Sequence, residues 1–229
     1  SMKLSKHRRV IIILGPPGSG KGMQADLAAD AVGLIHIDTG KILRAIFSDP
    51  MEMRKPVNKR EKKINDAGVL NTPSWVVGII KNRVRAAVKM GYGIVFSGSP
   101  RTLYEAEAEM PFLEKLFGKN NIKIFLFKVP FRTAASRNRA RLVCVTCKRP
   151  LLIAYYPIKK PKRCPVCAGV LERRIDDDPA KFKTRTLQYV ERTKPILAYL
   201  RRHGHKIHPI NGGPAPYLVF KRILGSLPK

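Results

Sequence analysis

The chain has 229 residues, 44% of them hydrophobic, and carries 45 Lys and Arg against 16 Asp and Glu, a formal charge of +29. That is apolar content for a sizeable core. No apolar run approaches the roughly 18–20 residues of a membrane span and no signal-peptide core precedes the fold, so a cytoplasmic protein with no membrane partner is expected. A field of this sign favours polyanions, but the basic residues are spread along the whole chain, which suits a general surface bias as well as a dedicated nucleic-acid site.

Ser1-Met2 reads as an appended remnant outside the fold. Val10 to Leu14, with three isoleucines in a row, predicts a strand buried on both faces. Gly15-Pro-Pro-Gly18-Ser19-Gly20-Lys21-Gly22-Met23-Gln24 follows, then helix-forming Ala25 to Ala31. Strand, Gly-x4-Gly-Lys turn and helix form the context of a phosphate-binding P-loop: backbone N–H groups turn inward and the helix N-terminus adds partial positive charge. Leu34 to Ile37 is a short apolar stretch, and Asp38 or Thr39 caps a helix from about Gly40. Residues 48–66 are polar and basic and read as short helices. Thr72-Pro73 opens a helix to about Met90. Gly93–Phe96 reads as a strand, Ser97–Arg101 as the loop at its carboxyl end and 102–117 as a helix. Ile122–Val129 is a strand and Phe131–Arg141 a helix. Asp178-Pro179 caps a long helix interrupted near Pro195 and ending around Gly204. A strand at Ile207–Ile210, a loop at Asn211-Gly212-Gly-Pro and a helix over 216–225 close the chain.

Strands alternating with helices predict an α/β fold with a parallel sheet of about five strands, covered on both faces. Ligands in such sheets sit at the carboxyl ends of the strands, where the P-loop and the 97–101 and 211–214 loops fall. Residues 142–172 differ in character. Cys144-x2-Cys147 and Cys164-x2-Cys167 have the spacing of a zinc ribbon, in a β-rich insertion. Four thiolates leave no open position for water, so a structural zinc is expected there. A ribbon this basic could also touch nucleic acid.

Together these pieces resemble the adenylate kinase family in its bacterial form with a long, zinc-binding LID, over Val10 to Gly225. The phosphate loop is similar to that family's, with glycine after the lysine. Thr39-Gly40 and Arg44 match its acceptor segment, and Gly98-Ser-Pro-Arg101-Thr resembles its Gly-Phe-Pro-Arg-Thr signature. Arg137 and Arg141, four apart on a helix face, match the pair leading into the LID; Arg174-Ile-Asp-Asp177 and Arg185 match the way out. The resemblance implies a donor site for ATP at Gly15, Gly18, Ser19, Gly20, Lys21, Gly22, Met23, Arg137, Arg141 and Gly212. It implies an acceptor site for AMP at Thr39, Gly40, Arg44, Asn71, Gly98, Arg101, Glu105, Arg174 and Arg185. Lys21, Arg101, Arg141, Arg174 and Arg185 would be the catalytic cations, with Arg137 over the donor adenine. Mg2+ with ATP and a structural Zn2+ are the implied cofactors.

The implied division is 1–37 core with the P-loop, 38–73 acceptor-binding subdomain, 74–141 core, 142–176 zinc-ribbon LID and 177–229 core, in a monomer. Five positions depart from the family pattern. Met23 replaces a threonine, Ser97 and Lys41 replace acids that hold waters around magnesium, Glu105 replaces the glutamine that reads the acceptor adenine, and Leu142 replaces a second LID arginine. Lys41 is expected to neutralise phosphate directly. The function implied is MgATP + AMP to two ADP. The alternatives are transfer to another monophosphate, GMP first, or a basic P-loop ATPase acting on RNA through its ribbon.

Overall fold

A computed structural model describes residues 9–155, 158, 161–173 and 177–227. The expected central strand is β1, Val10–Leu14, followed by α1, Lys21–Val32, and β2, Leu34–Ile37. Two further helices, α2 (Thr39–Ser48) and α3 (Pro56–Asp66), flank a 3-10 turn at Glu52–Arg54. Then come α4 (Pro73–Lys89), β3 (Gly93–Ser97), α5 (Leu103–Phe117), β4 (Ile122–Lys128) and α6 (Phe131–Ala140). The LID holds β5 (Arg141–Cys144), β6 (Pro150–Leu152) and β7 (Leu171–Glu172). Beyond it are α7 (Pro179–Gln188), a π-helical turn at Tyr189–Thr193, α8 (Ile196–Arg202), β8 (Ile207–Asn211) and α9 (Pro216–Gly225).

Five parallel strands run in the order β2-β3-β1-β4-β8. Alternation along β1 divides the core. Val10, Ile12 and Leu14 join Ile94, Phe96 and Ile124 beneath α4, α5 and α8. Ile11 and Ile13 join Val95, Phe125 and Phe127 beneath α1 and α9. Successive strand residues face opposite sides, so a strand covered on both has no polar position, hence the isoleucine run.

The LID forms a separate antiparallel sheet, β6-β5-β7. Its first strand corrects one expectation: α6 stops at Ala140, and Arg141 is extended and pairs with Leu152. Arg137 and Arg141 therefore do not share a helix face. Pairing with a strand eleven residues further on, invisible to local helix propensity, decides this boundary. Leu142, where a second arginine was expected, pairs with Leu151.

Candidate active site

The site is built on the carboxyl edge of the large sheet. Gly18 has φ 75, and a Cβ there would come within 2.4 Å of the Ala134 carbonyl oxygen, so only glycine lets the loop lie against α6. The first turn of α1 has no side-chain cap, which leaves its N–H groups facing the hollow of the loop. Lys21 Nζ donates to the carbonyls of Gly15 and Pro16, both at 2.7 Å, and Ser19 Oγ lies at 3.4 Å. Burial pushes the Lys21 ammonium from 10.5 to about 7, helped by the charges of Arg101, Arg185 and Arg141 and opposed by Asp38. Four cations from four segments thus act on one another at the P-loop.

Two glycines make room for the expected acceptor arginines. A Cβ on Gly98 would stand 2.6 Å from an Arg101 guanidinium nitrogen, and one on Gly40 would stand 3.2 Å from Arg44. Thr39 Oγ1 is buried and has no partner among the described residues, as suits an atom awaiting a ligand. The Asn71 side chain is committed elsewhere: it donates to Glu61 O at 2.7 Å and Glu61 Oε2 at 3.0 Å, and accepts from Asn65.

Arg137 donates to the carbonyls of Gly212 at 2.6 Å and Gly213 at 2.7 Å, which joins α6 to the 211–214 loop. Asp177 accepts from Arg141 Nε at 2.8 Å and from its terminal nitrogen, holding that guanidinium at the root of the LID. Met23 lies partly buried in the first turn of α1. Arg174 and Asp176 lie outside the described residues.

Glu105 faces inward. It is 2% exposed, and Oε2 accepts from the Arg101 N–H at 2.7 Å while Oε1 accepts from Thr102 Oγ1 at 3.2 Å. Beside it, Ser99 Oγ donates to Glu109 at 2.8 Å. Burial, then the charge of Glu105, pushes the Glu109 carboxyl up to about 8. Sequence reasoning passed over Glu109, although it stands one turn after Glu105 beside the apolar stripe of Ala106, Met110 and Leu113.

The Lys41 ammonium lies 3.0 Å from both oxygens of Asp26. Asp26 also accepts from His36 Nδ1 at 2.6 Å, and His36 Nε2 lies 2.6 Å from Ser97 Oγ. A Cβ on Gly22 would make ordinary van der Waals contact with Asp38 Oδ2 at 3.6 Å and Ser97 Oγ at 4.0 Å, so two hard oxygens of the kind that suit a hydrated divalent cation stand beside the first turn of α1.

In the LID, the four cysteine sulfurs lie within 4.8 Å of one another, with Cys144–Cys167 at 3.4 Å and Cys147–Cys164 at 3.7 Å. Tetrahedral Zn–S bonds of about 2.3 Å imply sulfur separations of about 3.8 Å, so the cluster fits zinc. Backbone N–H groups of Cys147 and Val166 point at Cys144 and Cys164 sulfurs, and Lys148 and Ala168, each next after a Cys-x2-Cys, take positive φ.

A glycine loop folded over a buried lysine, at the carboxyl edge of a parallel sheet and ringed by arginines from other segments, marks the P-loop nucleotide-binding class. The adenylate kinase family model matches residues 13–205. Relatives named adenylate kinase include one from Methanothrix thermoacetophila, 36% identical over 96% of this chain and 98% of its own. Another, from Paracoccus denitrificans, is 34% identical over 88% and 89%, and one from Clostridium botulinum is 33% identical over 95% and 97%. The chain belongs to the adenylate kinase family.

Proposed function

We propose that this chain transfers the terminal phosphoryl group of ATP reversibly to AMP, giving two ADP. The observation that carries the reading is the cation ring, in which Lys21 is electrostatically coupled to Arg101, Arg141 and Arg185 from three other segments. A site that only hydrolysed ATP would not need arginines folded over Gly40 and Gly98 as well. Phosphoryl transfer needs in-line positioning and cations around the moving charge rather than covalent help from the protein. Lys21 and the loop amides hold the donor phosphates, and Arg137 with the Gly212 loop borders the donor base. Arg44 and Arg101 clamp the acceptor phosphate, which guanidinium grips in two places. Arg141, Arg174 and Arg185 gather on the transferring group. Magnesium, bound with the triphosphate, supplies neutralisation of charge on the phosphate oxygens.

The segments 38–73 and 142–176 are the parts that close over the two nucleotides and exclude water, which protects the donor from hydrolysis. Zinc at Cys144, Cys147, Cys164 and Cys167 is structural and sets the shape of the LID. No helix among the described residues is long and apolar enough to cross a membrane. The test is product analysis with MgATP and each nucleoside monophosphate in turn, beside an ATP-only control. ADP formed from AMP well above the control is expected. Stronger turnover with GMP would reassign the acceptor, and equal turnover without acceptor would overturn the kinase reading.

A further inference from the structure

Two threonines of α7 spend their hydroxyls inside the helix. Thr184 Oγ1 donates to the Ala180 carbonyl at 3.2 Å and Thr186 Oγ1 to the Phe182 carbonyl at 2.8 Å, each bonding back four residues. Thr193, in the turn that follows, does otherwise. Its Oγ1 donates at 2.8 Å to the main-chain carbonyl of Arg101, 92 positions away. A carbonyl only accepts, so the direction of this bond is fixed whatever the protonation of its neighbours. The local backbone explains the difference. Pro195 has no N–H with which to continue an α-helical ladder, and the chain widens just before it into the π-helical turn Tyr189–Thr193. The Tyr189 carbonyl, four residues before Thr193, accepts instead from Lys194 N at 2.9 Å. Thr193 is the only buried residue of that turn, at 8% exposed. Single π-helical turns within helices are frequent at functional sites.

The Arg101 backbone is thereby gripped from two sides. Its N–H donates to Glu105 Oε2 at 2.7 Å and its carbonyl accepts from Thr193. The first bond is local to the loop and the opening turn of α5. The second crosses to the end of the segment that carries Arg185. Arg101 and Arg185 both act as like charges on Lys21. Like charges crowded at one place repel, so a loop that presents one of them to the cleft has to be fastened through its main chain. The carbonyl bond fixes where the Arg101 backbone stands, and with it the root of the guanidinium that lies against Gly98.

We propose that Thr193 is a positioning residue for the acceptor site: its hydroxyl ties the Arg101 main chain to the end of α7, so that Arg101 and Arg185 keep their spacing around an incoming phosphate. This rests on the phosphoryl-transfer reading above, in which Arg101 grips the acceptor. The donor phosphates are held by the loop between β1 and α1, which this bond does not touch. Loss of the bond therefore weakens the acceptor selectively.

The experiment titrates AMP alone, and a non-hydrolysable ATP analogue alone, into each protein by calorimetry, with no turnover. Thr193→Val keeps the branched shape and removes only the donor. It should weaken AMP about three- to tenfold, the range that one hydrogen bond covers, and change the analogue by less than about twofold. Thr193→Ser keeps the hydroxyl and should bind AMP as the wild type does. Should Thr193→Val not fold, Thr193→Ala, a better helix former, tests the same loss. AMP titrations of the hydroxyl-free variant that superimpose on wild type overturn the proposal, as does Thr193→Ser binding AMP no better than that variant. An equal loss for AMP and analogue also overturns it, because general loosening of the fold would produce that. A wild type that binds the analogue and not AMP overturns the acceptor reading itself, and the inference falls with it.

Discussion

Replacing Glu109 by glutamine should remove a pH-dependent instability from the core. Glu109 is 1% exposed, and its carboxyl is raised from 4.5 to about 8, first by burial and then by the charge of Glu105. The Ser99 hydroxyl and the more distant Lys81 offset this only in part. Between pH 4.5 and 8 the folded protein therefore holds a proton that the unfolded chain has released. Stability falls as pH rises through that window, is untouched below it and has lost the full contribution above it. The gap of about 3.5 pH units, at about 1.4 kcal/mol each, sets an upper limit of about 5 kcal/mol. Local rearrangement around the ionised group relieves part of that, so we expect about 3 kcal/mol. For a domain of this size, that corresponds to roughly 6–12 °C in Tm. Glutamine keeps the shape and one acceptor and never ionises. Thermal unfolding of wild type and Glu109→Gln, without nucleotide, should give similar midpoints at pH 5 and diverge in favour of the variant by pH 9. The Lys21 titration near pH 7 is common to both proteins and cancels in the comparison. Curves that run parallel from pH 5 to 9 would refute the reasoning.

Lys21, lowered to about 7 by burial and three arginines, should regain its proton when phosphates arrive. Calorimetry in buffers of different ionisation enthalpy should show uptake approaching one proton per ATP analogue at pH 8. Unchanged uptake in Lys21→Met would rule that out. Metal analysis should find one zinc per chain, and Cys164→Ser with Cys167→Ser should speed hydrogen exchange in the LID strands while leaving β1 protected; full LID protection without metal is the contrary result. Glu61 is fully buried and accepts from Thr72 Oγ1 at 2.6 Å, Thr72 N at 2.9 Å and Asn71 Nδ2 at 3.0 Å. Glu61→Ala should cost about 2–4 kcal/mol and raise KM for the acceptor more than for the donor, and an equal rise in both would contradict its local role. Glu105→Gln should leave the preference between AMP and GMP within about threefold, because that side chain faces the Arg101 amide. A larger swing would place Glu105 at the base.

The features legible in the sequence are those written locally. An isoleucine run between polar segments can only be a doubly covered strand. Glycines spaced around Lys21, and cysteines in two close pairs, state their geometry in a few adjacent positions. What escaped depends on which strands become neighbours. Asp26, His36 and Ser97 meet because β2 packs beside β3 and beneath α1, a juxtaposition with no trace in residues so far apart in the chain. Arg141 leaves the helix because Leu152 offers it a strand partner. Lys41 pairs with Asp26 fifteen positions earlier in the chain, a contact that spacing alone does not announce. Glu109 is the intermediate case: its place beside an apolar helical stripe was visible, but its partner Ser99 lies on a preceding loop.

The scarcity of acids gives the excess charge a physical reading. Against 45 basic residues stand 16 acidic ones, and half of these serve as acceptors within the fold. Asp38, Asp49 and Asp178 accept backbone N–H groups at the starts of helical segments. Glu61, Glu105 and Glu109 are buried within or beside loops, and Asp26 and Asp177 hold His36 and Arg141. These are places where an oxygen acceptor is worth about 1–2 kcal/mol or more. An exposed ion pair contributes about 0–1 kcal/mol. Surface ion pairs can therefore be few without much loss of fold, whereas loss of these acceptors costs more. The remaining positive field is strongest in effect where cations are crowded and dry. At the P-loop, burial first and then the charges of Arg101, Arg185 and Arg141 bring the Lys21 ammonium down to about 7. Asp38 acts on Lys21 and Asp177 pairs with Arg141, and an entering polyphosphate adds further anions beside the same cations.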